Sequence, residues 1–173
     1  MKFIIAVCFL NLIIACTHKI YIVRHGEKSS EPPKNPHLSK VGQQRAQNLI
    51  LELKAKHITQ IYSTNTFRTM ETAMPLSKHI KVPVTIYIND TTSKLMAYIF
   101  NSKKNALIVG HSNTILNIID SLQYAYVKDK VKDTEYDNLI VVKYKKYCPT
   151  CSKKFIVKNV VFKNYTNYPY PFL

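Results

Sequence analysis

Two histidines, each placed where a short apolar run gives way to a turn, carry the chemistry open to this chain. His25 lies in Val23-Arg24-His25-Gly26-Glu27, and His111 lies in Val109-Gly110-His111-Ser112-Asn113. Of 25 basic residues only three are arginine, namely Arg24, Arg45 and Arg68, and the chain has only three glycines, Gly26, Gly42 and Gly110. Arginine presents a planar fork of donors that grips phosphate at two points, which a lysine ammonium does not. Arg24 and Arg68 together with two imidazoles compose a pocket for a tetrahedral dianion. Adjacent positive charge lowers a histidine's proton affinity, so one ring stays neutral with its lone pair available. Attack on phosphorus would then give a phosphohistidine that water hydrolyses. Gly26, next to His25, lets the backbone turn tightly and approach a ligand.

The elements that must hold these residues follow from periodicity. Ile20 to Val23, Ile58 to Tyr62 and Ala106 to Val109 are short apolar runs that predict buried strands, and Val82 to Ile88 alternates as a fourth. Between them, Ser39 offers an N-cap to a helix whose apolar face is Val41, Ala46, Leu49, Ile50 and Leu53. A second helix starts near Asn65, with Phe67, Met70 and Met74 inward and Pro75 placed to kink or interrupt it. Thr91 to Asn101 has helical spacing with Leu95, Tyr98 and Ile99 inward. Ser112 to Leu122 forms a helix with Ile115, Leu116, Ile118, Ile119 and Leu122 apolar. Asn138 to Tyr144 and Phe155 to Phe162 are β-rich and predict a hairpin on the sheet edge. The result is an α/β fold of three layers, a mainly parallel sheet with helices on both faces and a C-terminal β-hairpin. Ligands bind such sheets at the carboxyl ends of the strands. Both histidines are expected there, with His111 opening a helix whose N-terminus favours an anion.

Four blocks, in this order, resemble the histidine phosphatase superfamily, and its phosphoglycerate mutase-like branch most. They are Val23-Arg24-His25-Gly26-Glu27, Leu38-Ser39-Lys40-Val41-Gly42, Tyr62-Ser63-Thr64 with Arg68 and Glu71-Thr72-Ala73, and Val109-Gly110-His111-Ser112-Asn113. The resemblance spans Ile20 to about Leu122. It implies that His25 is the phosphorylated nucleophile, and that Arg24, Arg68 and His111 bind the phosphoryl group. Ser63, Thr64, Ser112 and Asn113 are further candidate hydrogen-bond donors to it, although helix capping explains Ser63, Thr64 and Asn113 about as well. The family usually supplies an acidic proton donor. Asp90 is the nearest match by position and Glu27 a second candidate by adjacency, while small members that act on phosphohistidine lack a clear donor altogether. The segment that caps the site in mutases is reduced to about Asn89 to Asn105, and an open site suits a phosphatase better than a mutase. The expected substrate is a phosphorylated small molecule or phosphoprotein, and no cofactor is implied. A phospholigand-binding protein without turnover and a phosphoglycerate-type mutase are the alternatives.

The rest of the chain bounds its setting. At 173 residues and 46 % apolar, it has the length and composition of one globular domain. The formal charge of +15 attracts anions, but no stripe of basic residues interleaved with aromatics argues for nucleic acid. Met1-Lys2 and the uncharged apolar stretch Phe3 to Ala15 suit a secretory signal and fall short of the ~20 residues that span a bilayer. The stretch ends in Ile13-Ile14-Ala15-Cys16, which resembles a bacterial lipobox, so residues 1–15 are expected to be removed and Cys16 lipidated. That predicts an extracytoplasmic domain of residues 16–173 held at the membrane of a bacterial cell envelope. Cys148-Pro149-Thr150-Cys151 lacks the further ligands of a metal site and reads as a turn. Arg45 is expected in a structural ion pair or a surface contact. Glu71 is expected to be structural, and His18, His37, His57 and His79 to be exposed without partners.

Overall fold

The computed structural model describes residues 17–122, 134–146 and 155–164. Six strands form one sheet: β1 (His18–Arg24), β2 (Ile58–Ser63), β3 (Val84–Ile86), β4 (Asn105–Gly110), β5 (Asn138–Lys146) and β6 (Phe155–Asn164). The helices are α1 (Lys40–Leu53), α2 (Phe67–Ile80), α3 (Thr92–Ser102) and α4 (Ser112–Ser121). The strand order is β3-β2-β4-β1-β5-β6. β3, β2, β4 and β1 run parallel, while β5 returns antiparallel beside β1 and β6 antiparallel beside β5. The expected mainly parallel sheet with a C-terminal hairpin is what forms. Cys16, Cys148 and Cys151 lie outside the described residues.

Alternation along the strands sorts the core into two layers. Ile20, Ile22, Ala106, Ile108, Ile140 and Val142 face one way, and pack with Leu95, Ile99, Ile115 and Ile118 of α3 and α4. Tyr21, Val23, Leu107, Val109, Leu139 and Val141 face the other, and pack with Leu49, Leu53, Ala73 and Leu76 of α1 and α2. A strand buried on both faces must be apolar at every position, which is why β1 and β4 are continuous runs. Each fully buried Ile, Leu or Val side chain contributes roughly 1.5–3 kcal/mol.

Four expectations about helix faces and strand ends are corrected. On α2, Phe67 and Met74 are 45 % and 38 % exposed, and the buried side chains are Thr69, Thr72, Ala73 and Leu76. Hydroxylated residues hold part of that face because Thr72 accepts from Gly26 N–H in the loop after β1 and Thr69 donates to Thr64 O just after β2. Pro75 sits inside α2 without ending it. Tyr98 of α3 and Val41 of α1 are exposed, their inward places taken by Met96 and Phe100 and by Gly42 and Asn48. The fourth strand predicted over Val82–Ile88 shrinks to Val84–Ile86 because its first residue closes α2. Lys81 adopts a left-handed conformation at φ 57°, and the Val82 N–H donates to Ser77 O at 3.1 Å.

Candidate active site

The site is built on the adjacent ends of β1 and β4, where Arg24 and Gly110 are register partners. One residue further along each strand stand His25 and His111, with ring centroids 5.2 Å apart. The His25 N–H donates to Gly110 O at 2.9 Å, so the ladder continues to the first histidine itself. Two histidines separated by 85 positions of sequence are thus neighbours because their strands are.

The loop that carries His25 is held from several sides. Gly26 N–H donates to Thr72 Oγ1 of α2 at 2.9 Å, and Thr72 Oγ1 donates to Arg68 O at 2.7 Å. A side chain at Gly26 would bring its Cβ within 2.8 Å of Gly42 O, and one at Gly42 would come within 2.2 Å of Glu27 O. The loop and the first turn of α1 therefore pass in backbone contact. Glu27 closes the clamp. Its Oε2 accepts from Arg45 Nε at 2.8 Å, and Oε1 accepts from Arg45 Nη2. Burial pushes the Glu27 carboxyl up, but the bonds and charge of Arg45 outweigh it and hold the group below the usual carboxylate range. The ion pair with Arg45 is present, and Glu27 is not among the residues that line the cavity.

Arg68, in the first turn of α2, reaches both imidazoles. Its Nε donates to His25 Nε2 at 3.3 Å, and its Nη2 lies 3.4 Å from His111 Nδ1. A guanidinium only donates, so both of those ring nitrogens carry lone pairs. The His25 proton then sits on Nδ1, which donates to Gly26 O at 2.7 Å. The His111 proton sits on Nε2, 3.1 Å from Thr64 Oγ1. Burial lowers the His25 pKa to about 3. The Gly26 carbonyl opposes that shift, and Arg24, His111 and Arg68 add to it. Burial, Arg68 and Arg24 lower His111 to about 4. Positive neighbours depress both rings as expected, but burial is the larger cause. Arg24 lies beneath Tyr136, its guanidinium carbon 4.3 Å from the ring centroid, and Nη1 donates to Glu135 O at 3.4 Å.

These groups line a cavity of about 620 Å³ together with Lys28, Asn89, Ser112 and Asn113. Ser112 and Asn113 open α4, where backbone N–H groups favour an anion. Asn89 is fixed by Thr114 Oγ1, which donates to its Oδ1 at 2.9 Å. The sequence-derived set of His25, Arg24, Arg68, His111, Ser112 and Asn113 is brought together. Asp90 is not: it is exposed on the 3₁₀ turn Asn89–Thr91, and its neighbour Asn89 lines the cavity instead. Ser63 is buried and donates to Thr64 O, so it serves the strand end. Glu71 is structural as expected, but His37 has partners. The Glu71 carboxylate accepts from His37 Nδ1 and from Leu38 N–H, and His37 stacks on Phe67 at 4.4 Å. Sequence reasoning missed Lys28 and Tyr136. Lys28 directly follows the motif, and Tyr136 precedes a strand whose antiparallel return starts at the carboxyl end of β1. Among the described residues, no cluster of His, Cys, Asp and Glu could hold a metal ion.

A sequence profile of the histidine phosphatase superfamily (branch 1) matches residues 20–89. Over those residues the chain is similar to that superfamily. No curated protein sequence matches it. Among solved structures, a mycobacterial glucosyl-3-phosphoglycerate phosphatase in complex with VO3 superposes with a TM-score of 0.64 at 11 % identity, over 82 % of this chain and 98 % of that one. The Entamoeba histolytica phosphoserine phosphatase bound to 3-phosphoglyceric acid gives 0.58 at 14 %, over 72 % and 90 %. An Agrobacterium tumefaciens protein described as the phosphohistidine phosphatase SixA gives 0.59 at 13 %, over 83 % and 97 %. At these identities the histidine phosphatase fold is what is shared.

Proposed function

We propose that this chain acts as a histidine phosphatase and hydrolyses phosphoesters through a phosphohistidine on His25. The observation that carries this reading is the tautomer of His25: Nδ1–H is spent on Gly26 O, which leaves the Nε2 lone pair toward the cavity beside Arg68. In the first step, Nε2 bonds to phosphorus while the bond to the leaving oxygen breaks and its electron pair leaves with that oxygen. In the second, water attacks phosphorus, the P–N bond breaks, and inorganic phosphate and neutral His25 result. Arg24, Arg68, His111 and the first turn of α4 stabilise charge on the equatorial oxygens in both steps.

The missing piece is a proton for the leaving group. No carboxylic acid lines the cavity among its described residues. Such a site favours leaving groups that depart without full protonation, such as aryl oxides or an imidazole. A phosphoprotein carrying phosphohistidine, or an activated phosphate, fits this reading better than an alkyl ester does. The absence of a carboxylic acid among the described lining residues also supports the second reading, a phospholigand-binding protein without turnover. Alkali-quenched ³²P labelling separates the two. Hydrolysis should pass through a base-stable, acid-labile label that His25→Ala abolishes; an unlabelled chain that still binds phosphate would leave the binder. We further propose that the domain works outside the cytoplasm, tethered through lipidated Cys16. The support is the lipobox-like Ile13-Ile14-Ala15-Cys16 after an uncharged apolar stretch. Incorporation of labelled fatty acid that is lost in Cys16→Ser is the expected outcome.

A further inference from the structure

The cavity is larger than a phosphoryl group needs. At about 620 Å³ it exceeds the volume of four non-hydrogen atoms, which is on the order of 100 Å³. Room therefore remains beside a phosphoryl group, lined by Lys28, Asn89, Asn113 and Tyr136, and these are polar or cationic rather than aliphatic.

Charge decides what that remainder is. With both imidazoles neutral, a phosphoryl dianion is balanced by the two guanidiniums of Arg24 and Arg68. Lys28 adds a third full positive charge to the lining. Nearby acids do not cancel it: Glu27 is paired with Arg45, and Glu71 is bonded to His37 and Leu38. Glu135 Oε2 accepts from Asn138, and neither it nor Asp137 lines the cavity. Among the described residues no carboxylate pairs with the Lys28 ammonium. The backbone that carries Lys28, itself an exposed residue, is held at the rim of the cavity. Lys28 bridges to Leu38, Ser29 N–H donates to His37 O at 2.8 Å, and Ser39 N–H donates to Glu27 O at 2.8 Å.

We propose that Lys28 is a specificity residue that binds a second anionic group, a carboxylate or phosphate, on the leaving-group side of the substrate. This rests on the phosphatase reading of the site, and its test is one of binding rather than turnover. Calorimetric titration of His25→Ala compares phosphoglycolate with ethyl phosphate, and 4-carboxyphenyl phosphate with phenyl phosphate. In at least one pair the carboxylated ligand should bind roughly tenfold tighter, the size of one charged contact. In His25→Ala/Lys28→Met that ratio should fall toward one, and in His25→Ala/Lys28→Arg it should persist. Equal affinities within both pairs, or a ratio that survives Lys28→Met, would overturn the proposal. Loss of aryl phosphate hydrolysis by the native chain is a separate result, which bears on the phosphatase reading and leaves the binding ratios standing.

Discussion

The neutral state of His25 and His111 makes the acid side of the reaction unusual. An imidazole nucleophile ordinarily loses its lone pair as pH falls through about 6.5. Here both rings stay neutral below that, His25 to about 3 and His111 to about 4. The acid limb of kcat/KM, which reports the free enzyme, should accordingly lie well below 6.5. A pH–rate profile with an aryl phosphate checks this, and a limb at 6.5 would contradict the buried, arginine-flanked geometry. The same shifts bear on stability. Because the folded chain holds these protons less tightly than the unfolded one, the two rings contribute fully above 6.5, and that contribution is lost as pH falls toward 4 and then 3. Thermal midpoints should therefore fall between pH 7 and 4.5, and fall less steeply in His25→Gln/His111→Gln.

The loop after β1 and the N-terminal end of α1 behave as one piece, and the clamp between them is open to test. Glu27→Gln keeps one hydrogen bond but removes a half-buried charge from Arg45, which should cost about 1–3 kcal/mol in denaturant midpoint. If Glu27 were the proton donor, the loss would instead appear in kcat for poor leaving groups with stability unchanged. Gly42→Ala is the harsher change. Its Cβ would sit 2.2 Å from Glu27 O, against backbone that cannot move aside without shifting His25. A large drop in both stability and kcat is expected, read by chemical denaturation and aryl phosphate hydrolysis. Much of this level is legible in the residues themselves. Continuous apolar runs mark β1 and β4, and a histidine at the end of each marks the site. The inward face of α2 is not legible, because Thr72 is buried against Gly26, a partner that only the folded chain brings near. Tyr136 is hidden for a similar reason: its place over Arg24 depends on β5 returning antiparallel beside β1. The place of Asp90 is equally illegible, because the turn at 89–91 offers the cavity Asn89 and leaves its neighbour exposed.

Across the whole molecule, the charge of +15 surrounds a cationic cavity and should draw phosphorylated substrates in. Attraction of this kind is screened over about 10 Å at 0.1 M salt. Raising salt from about 0.01 M to 0.3 M should lower kcat/KM for a dianionic substrate roughly fivefold, with kcat changing less. Stopped-flow or initial-rate measurements at both salts would reveal a flat response if the lysines merely coat the surface. The register of β1 against β4 carries one more consequence. Neighbouring strands lie about 4.8 Å apart, and the two imidazole centroids are 5.2 Å apart. The sheet is thus a ruler, and the gap between the two rings is one of its graduations. Side chains can drift through evolution without altering that interval, because it is written in main-chain hydrogen bonds. Two histidines set one residue beyond a register pair, on any parallel ladder with a nearby arginine, would inherit the same spacing.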